Sequence, residues 1–180
     1  MKTLILGGAK SGKSLFAENL AIQSQKRLIY IATAEAQDSE MEQRILFHQK
    51  RRIDQPVEWQ TIEEPIALAK VLNHLSQLNQ AKNDQLILID CLTLWLSNLL
   101  FKLGEKQRQI EIHELLDFLT NCQMDVIFVS NETGLGIVPM NQLSRQFIDL
   151  AGDLHQRMAA VSDQVILTVA GLPMVLKGTL

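Results

Sequence analysis

The stretch Leu4-Ile5-Leu6-Gly7-Gly8-Ala9-Lys10-Ser11-Gly12-Lys13-Ser14 decides the fold, because an apolar strand runs there into a glycine-rich turn and then into an amphipathic segment. The turn matches the pattern G-x-x-x-x-G-K-[ST]. Glycines let several backbone N–H groups point at one anion, and a helix start adds its positive end. We therefore expect residues 7–14 to bind nucleotide phosphates, with Lys13 reaching the β- and γ-phosphates and the Ser14 hydroxyl ligating Mg²⁺. The alternative is a chance match in a glycine-rich turn, but the flanking strand and helix favour the nucleotide site.

Composition and charge indicate a globular protein with one domain over residues 1–180. Hydrophobic residues make up 47% of the 180 residues and charged residues 21%, which provides for a substantial core. The net charge of −3 supplies no field that would attract nucleic acid or an anionic membrane surface. The longest apolar stretch, residues 92–101, is too short to span a bilayer.

The two cysteines, Cys91 and Cys122, have no neighbours at metal-ligand spacing. The chain opens on a short apolar strand that lacks the features of a secretory signal. Both observations favour reduced core thiols in a protein of the cytoplasm.

Apolar strands alternate with helical patterns along the chain, which predicts an α/β fold with a mostly parallel sheet covered by helices on both faces. The predicted strands are residues 2–6, 27–32, 57–61, 85–90, 125–130 and 164–170, with a final hairpin arm at 174–177. The predicted helices are residues 13–25, 40–52, 65–80, 92–101 and 107–122, and a long helix with a core stripe from Leu143 to Val161. Residues 102–106 and 131–139 are predicted loops.

Asp90 ends a strand that is apolar at nearly every position, as in a sheet covered on both faces. Ligands of open α/β sheets lie beyond the carboxyl ends of the strands. A carboxylate in that place can hold Mg²⁺ opposite Ser14, directly or through water. The alternative is a helix cap for the segment that begins at Cys91, and the nucleotide-binding turn favours the metal role.

His48 lies on a predicted helix that carries Met41 and Ile45 on the same side, at i, i+4 and i+7 spacing. Arg44 and the run Gln49-Lys50-Arg51-Arg52 surround it with cations. Nearby cations disfavour the imidazolium, so they would keep the ring neutral and nucleophilic, and they could also hold a phosphate. Residues alone leave open the alternative of a solvated helix end whose cations complement the helix dipole.

Other polar residues allow two interpretations each. Glu63 and Glu64 precede Pro65, where they favour a helix N-terminus or contact a ligand. Asn131 and Glu132 open a loop at the expected functional edge of the sheet, where they contact a substrate or belong to an ordinary turn. Three further histidines lie in helical patterns without ligand-spaced partners and are assigned to surface or packing roles: His74, His113 and His155.

Several motifs together resemble the bifunctional adenosylcobinamide kinase / adenosylcobinamide-phosphate guanylyltransferase family of cobalamin biosynthesis. The resemblance spans nearly the whole chain, and its most specific parts are the His48 helix and the loop from Asn131 to Pro139. The matching segments are residues 7–14, 30–34, 40–48, 90–100, 130–139, 149–157 and 170–172, with Trp59 and Glu63 between them.

The resemblance implies two reactions on a fold similar to RecA-type P-loop proteins. In the first, ATP or GTP phosphorylates a hydroxyl of adenosylcobinamide. In the second, GTP gives its GMP to His48, and adenosylcobinamide phosphate attacks this intermediate to form adenosylcobinamide-GDP. The resemblance further implies a homotrimer with the active site near a subunit boundary. It assigns guanine-nucleotide contacts to Thr33, Ala34, Glu35, Gln49, Lys50, Arg51, Arg52 and Glu63, and an acidic site position to Asp90.

Two departures from the family pattern have little consequence: Lys10 replaces a common arginine, and Phe47 replaces a second histidine found in some members. Two other functions compete with the family reading. A simple small-molecule kinase would not need His48, and a nucleotide-binding switch would bind GTP without transferring any part of it. A histidine set among cations favours the family reading over both.

Overall fold

The computed structural model describes residues 1–36, 38–78 and 84–179, and in these ranges it contains one sheet of seven strands in the order β3-β2-β4-β5-β1-β6-β7. The strands are β1 Lys2–Gly7, β2 Arg27–Ala32, β3 Trp59–Glu63, β4 Gln85–Asp90, β5 Asp125–Asn131, β6 Gln164–Val169 and β7 Leu172–Lys177. The helices are α1 Lys13–Gln23, α2 Ser39–Ile53, α3 Leu68–Leu78, α4 Leu92–Lys102, α5 Glu105–Asn121 and α6 Gln142–Val161.

All neighbouring strands are parallel except β6 and β7, which form an antiparallel hairpin. The central strands are buried on both faces; in β4, for example, Leu86 to Ile89 are at most 1% exposed. One face packs around Trp95 and Phe128, and the other around Tyr30 and Ile127. The α/β prediction is confirmed, because continuous apolar strands need helices on both sides to remove them from water.

The parallel arrangement gathers the carboxyl ends of β1, β2, β4 and β5 at one edge of the sheet. The glycine-rich turn follows β1 at this edge, and α2 follows β2 after a short extended segment. The fold therefore brings Asp90 at the end of β4 and Asn131 at the end of β5 to the same edge as residues 7–14.

Several predicted boundaries are wrong by a few residues. The third strand begins at Trp59 rather than 57, because its pairing with β2 aligns Trp59 with Leu28 and Glu63 with Ala32. The loop predicted at 102–106 is shorter, since α5 begins at Glu105 immediately after an extended Gly104. The helix predicted at 65–80 begins at Leu68, and its end at 79–80 lies outside the described residues.

The core stripe predicted for α6 is correct except at its first position. Leu154 and Met158 are buried, and three further residues of the stripe pack against the core while partly buried: Phe147, Leu150 and Val161. Leu143 is 41% exposed because the first turn of this helix extends beyond the core. Asn131, which the sequence placed in a loop, is the last residue of β5.

Candidate active site

A cavity of about 580 Å³ lies at the carboxyl edge of the sheet and is walled on one side by α2. Most chemically distinctive residues of the sequence line it. The predicted site residues that line it are Lys13, Ser14, Ala34, Glu35, His48, Gln49, Arg52, Glu63 and Asp90. The predicted contacts that are not among its lining residues are Gly7, Gly8, Ala9, Lys10, Ser11, Gly12, Thr33, Lys50 and Arg51.

The glycine-rich turn is closely packed against the β6–β7 hairpin. A Cβ added at Gly7 would lie 2.7 Å from the Thr168 carbonyl oxygen, so no side chain fits there. Gly12 has a φ of +91°, which favours glycine, and its added Cβ would lie 3.0 Å from the Gly171 Cα. The Gly171 N–H donates to the Ser11 carbonyl at 2.8 Å. The turn therefore needs glycine at positions 7 and 12, and its contacts with the β6–β7 hairpin stabilise its conformation.

Lys13 is 9% exposed, and its ammonium donates to the Gly8 carbonyl at 3.1 Å. Burial lowers its pKa, while Cys91 and Asp90 act in the opposite direction. The Lys13 ammonium therefore lies next to the backbone of the glycine-rich turn, where its positive charge can attract the phosphates of a nucleotide.

Asp90 and Ser14 both line the cavity, as a shared Mg²⁺ would require. Asp90 Oδ2 accepts a hydrogen bond from the Tyr30 hydroxyl at 3.2 Å. The residue at the N-cap of α4 is Cys91, so capping of α4 does not occupy the Asp90 carboxylate. The described residues contain no group of three or more His, Cys, Asp or Glu side chains suited to a metal. Mg²⁺ fits this donor set because it commonly takes one or two protein oxygens and completes its shell with water and phosphate.

The end of β2 is fixed by Thr33, which is fully buried rather than open to the cavity. Its hydroxyl donates to the Cys91 carbonyl at 2.7 Å and accepts from the Cys91 N–H at 2.9 Å. The Asn98 amide donates to the Thr33 carbonyl at 2.8 Å. Thr33 thus positions the cavity-lining residues Ala34 and Glu35, and Glu35 forms an ion pair with Lys102.

Helix α2 presents one face to the cavity, as the spacing of its residues predicts. Asp38 caps the helix by accepting from the Met41 N–H at 2.7 Å. Met41, Ile45 and His48 all line the cavity. Helical geometry also divides the basic run after His48, because Gln49 and Arg52 line the cavity whereas Lys50 and Arg51 do not.

Burial is the largest cause of the lowered pKa of His48. Arg51 and Arg52 lower this pKa further, whereas Asp90 and Glu18 raise it. From the neighbouring cations, the sequence predicted that the His48 ring is neutral, and the pKa is indeed lowered. The largest cause of the lowered pKa is desolvation, which could not be foreseen because burial is not visible in the sequence.

Arg52 is 6% exposed, and its guanidinium carbon lies 3.6 Å from the centroid of the Tyr30 ring. Its Nη1 is buried and has no hydrogen-bond partner within the described part of the chain. An unpaired donor on a buried cation that lines a cavity is suited to an anionic ligand. Tyr30 carries both this stacking contact and the bond to Asp90; the segment 30–34 is part of the family resemblance, but the sequence assigned no role to the Tyr30 side chain.

A buried polar chain supports the end of β5. The Asn131 N–H donates to Thr93 Oγ1 at 2.6 Å, Thr93 Oγ1 lies 3.0 Å from Ser130 Oγ, and Ser130 Oγ lies 2.7 Å from His155 Nε2. His155 is 7% exposed, which agrees with the packing alternative, and the imidazole contact with Glu132 was not visible in the sequence. Asn131 itself lines the cavity and has a buried Oδ1.

A protein-family model described as cobinamide kinase / cobinamide phosphate guanyltransferase (CobU) matches residues 3–176. The chain belongs to this family. The sequence resemblance is thereby confirmed, and the chain is an enzyme of cobalamin biosynthesis with two activities, a kinase and a guanyltransferase.

Relatives in the CobU family match over nearly their whole length. The chain is 49% identical over 178 residues to the bifunctional adenosylcobalamin biosynthesis protein CobP of Pseudomonas aeruginosa, with 99% of this chain and 98% of that protein covered. It is 38% identical over 192 residues to the bifunctional adenosylcobalamin biosynthesis protein CobU of Salmonella typhimurium, with 98% and 100% covered.

Solved structures support the fold at low sequence identity. A KaiC-like protein, PH0186, from Pyrococcus horikoshii OT3 matches with a TM-score of 0.50 and 16% identity over 92% of this chain and 70% of that chain. A second protein from the same organism, PH0250, matches with a TM-score of 0.59 and 8% identity over 99% of this chain and 87% of that chain.

The helices described for this CobU-family chain include none long and apolar enough to cross a membrane.

Proposed function

We propose that this CobU-family enzyme transfers GMP through a covalent guanylyl-His48 intermediate, and that the same cavity binds the nucleotide for both activities. The observation that carries the proposal is the lining of the cavity, where His48 shares one space with Lys13 and Ser14. Burial lowers the pKa of His48, which favours the neutral imidazole that a nucleophile requires.

In the kinase step, a hydroxyl of adenosylcobinamide attacks the γ-phosphorus of ATP or GTP and loses its proton, and the nucleoside diphosphate departs. The N–H groups of residues 7–14 and the Lys13 ammonium bind the phosphates. Ser14 and Asp90 would hold Mg²⁺, which neutralises phosphate charge when bound.

In the transfer step, the lone pair of a His48 ring nitrogen forms a bond to the α-phosphorus of GTP. The bond from that phosphorus to the bridging oxygen breaks, and pyrophosphate leaves with the electron pair. A phosphate oxygen of adenosylcobinamide phosphate then attacks the same phosphorus, and the imidazole is released. The buried Arg52 guanidinium is suited to the negative charge that develops on the phosphoryl oxygens.

Incubation with GTP radiolabelled at the α-phosphate, Mg²⁺ and no acceptor tests the intermediate. We expect a labelled band on denaturing electrophoresis that is lost in acid and retained in alkali. The band should be absent in His48→Asn and present in His113→Asn, a matched control whose side chain is 69% exposed. A folded enzyme that binds GTP and acquires no label would contradict the proposed transfer route and favour a simple kinase.

We further propose a homo-oligomer, a trimer by family resemblance, whose interface includes the exposed apolar residues that follow β5. Ile137 and Met140 are each 97% exposed, and Leu135 is 80% exposed. Strand β7 lies at the edge of the sheet and exposes Leu172 and Leu176. A second copy of the chain would remove these side chains from water.

The cytoplasm is the proposed compartment, which the free state of both cysteines supports.

A further inference from the structure

A second cavity, of about 330 Å³, lies between α6 and the loop that follows β5, and the proposed chemistry gives it no role. We call it the α6 cavity; it is lined by residues 132–134 and by one side of α6 between Ile148 and Gln156. Three carboxylates belong to its wall, those of Glu132, Asp149 and Asp153. No lysine or arginine is among the described residues that line it.

The α6 cavity adjoins the cavity of the candidate active site, here called the nucleotide cavity. Asn131 lines the nucleotide cavity, and the next residue, Glu132, lines the α6 cavity. Besides its acids, the nucleotide cavity is lined by the cations Lys13, Arg44 and Arg52. A long ligand can therefore extend from one cavity into the other, whereas the carboxylates of the α6 cavity disfavour a phosphate group there.

Gly152 lies inside α6 and lines the α6 cavity. Glycine is less favourable than alanine in the interior of a helix, and one reason for its presence is the close approach of a ligand to the backbone. Apart from its chain neighbours and the backbone of its own helix, a Cβ built at Gly152 meets no atom within 4 Å. No contact in the described chain thus requires glycine here, and a side chain at this position would extend into the cavity.

His155 also lines the α6 cavity, although its side chain is nine-tenths buried. Its Nε2 lies 2.7 Å from Ser130 Oγ, whereas its Nδ1 lies 3.7 Å from the Glu132 carboxylate, which is longer than a hydrogen bond. A primary carboxamide fits between the two groups. One of its N–H groups donates to the carboxylate, and its second N–H or its carbonyl bonds Nδ1 in either tautomer of the ring.

We propose that the α6 cavity binds the carboxamide-bearing edge of adenosylcobinamide and leads the arm with the reacting hydroxyl past Asn131 into the nucleotide cavity. The inference rests on the proposed function, which places the triphosphate in the nucleotide cavity. The substrate has the matching chemistry, because its corrin ring carries primary carboxamides and its corrin–cobalt unit is positively charged. The same contact holds adenosylcobinamide phosphate for the second reaction.

The first test fills the cavity with Gly152→Leu and removes no polar group. We expect the KM for adenosylcobinamide in the kinase reaction to rise by about 10-fold or more, because the new side chain occupies the place of the substrate. The Kd for GTP and the single-turnover formation of guanylyl-His48 should change little, since neither needs the corrinoid. The melting temperature should hold or rise, because leucine favours a helix more than glycine does.

Ala160→Leu is the matched control, a change from a small residue to leucine at an exposed position of α6. It should alter none of these quantities. A Kd for GTP that rises together with the KM for adenosylcobinamide in Gly152→Leu would assign the α6 cavity to the nucleotide and overturn the proposal. Gly152→Ala, a smaller change, should give an intermediate KM.

The second test removes one charge with Glu132→Gln. Glu132 Oε1 accepts from the Gly134 N–H at 2.6 Å, and glutamine keeps an acceptor for that bond. We expect calorimetry to show a Kd for adenosylcobinamide about 10-fold higher than that of wild type, the effect of one charge-assisted hydrogen bond. Glu114→Gln, at an exposed acid of α5, is the control. An unchanged Kd for adenosylcobinamide in Glu132→Gln would contradict the proposed contact.

Lys13→Met separates this inference from the proposed function. If Lys13→Met keeps the wild-type kinase rate, the proposed nucleotide site fails, and the inference fails with it. If Lys13→Met loses kinase activity while Gly152→Leu keeps the wild-type KM for adenosylcobinamide, the nucleotide site stands and only the α6 cavity proposal fails.

Discussion

At the scale of single residues, His48 is where we expect the two activities to separate. Replacing it with asparagine removes the proposed nucleophile and leaves the glycine-rich turn of residues 7–14 unchanged. We expect His48→Asn to abolish transfer of GMP to adenosylcobinamide phosphate while retaining much of the kinase activity. Parallel assays of the two half-reactions measure this. Loss of both activities in a folded variant would show that the reactions are not separable at this residue.

The low pKa of His48 predicts an unusual pH profile. Because burial lowers the pKa below the ordinary value of 6.5, more than half of the free enzyme carries a neutral ring at pH 6.5. We expect the acid limb of the kcat/KM profile for guanylylation to have its midpoint below that of an ordinary histidine. A midpoint above pH 6.5 would mean that the carboxylates near His48 outweigh desolvation.

A substitution at Arg52 tests whether its buried, unpaired N–H group binds the nucleotide. Arg52→Met keeps an apolar stem for the Tyr30 ring and removes the guanidinium, whose Nη1 has no partner in the described residues. We expect GTP affinity to fall by about 10- to 100-fold, the range of one charge-assisted hydrogen bond, while the melting temperature holds or rises. Calorimetry and thermal unfolding measure both. Arg157→Met, at a half-exposed side chain, should change neither, and unaltered GTP binding in Arg52→Met would contradict a phosphate role.

At the scale of elements, helix α2 determines the position of His48, and the N-cap residue Asp38 determines where this helix begins. Asp38→Ala removes the bond to the Met41 N–H and should cost about 1 kcal/mol of folding free energy, or a few degrees in melting temperature. Asn141→Ala is a matched control, because Asn141 caps α6 by accepting from the Leu143 and Ser144 N–H groups. We expect similar loss of stability in both, with slowed guanylylation only in Asp38→Ala. Equal rates would show that the cap does not influence the transfer site.

At the scale of the whole molecule, the exposed apolar loop after β5 predicts self-association. Met140→Asp places a charge in the proposed interface, and light scattering after gel filtration should show a smaller mass than that of wild type. Leu78→Asp is the control, since this side chain is 70% exposed at the end of α3, away from the loop. A monomeric wild-type enzyme would refute the proposed oligomer.

Two features of the fold could not be predicted from the sequence: the order of the strands, and which residues of the basic segment 49–52 face the cavity. Alternating patterns identified every helix and strand of the described chain to within a few residues, because backbone propensity and apolar spacing act locally. Strand order depends on which surfaces pack together. The same limit applies to residues 49–52, which the resemblance treated as one contact set. Gln49 and Arg52 line the cavity, Arg51 pairs with Glu18 on α1, and Lys50 is exposed.

By itself the sequence determined the glycine-rich turn between β1 and α1, the α/β architecture and the His48 face of α2, since each depends on residues close together in the chain, and motifs along nearly the whole chain indicated the family. Only the tertiary structure decided the environment of those residues. Burial lowers the pKa of His48, the Tyr30 ring stacks on Arg52, and Glu18 meets Arg51 across 33 residues of sequence. Desolvation and long-range pairing exist only once distant segments have packed together, so no local pattern contains them.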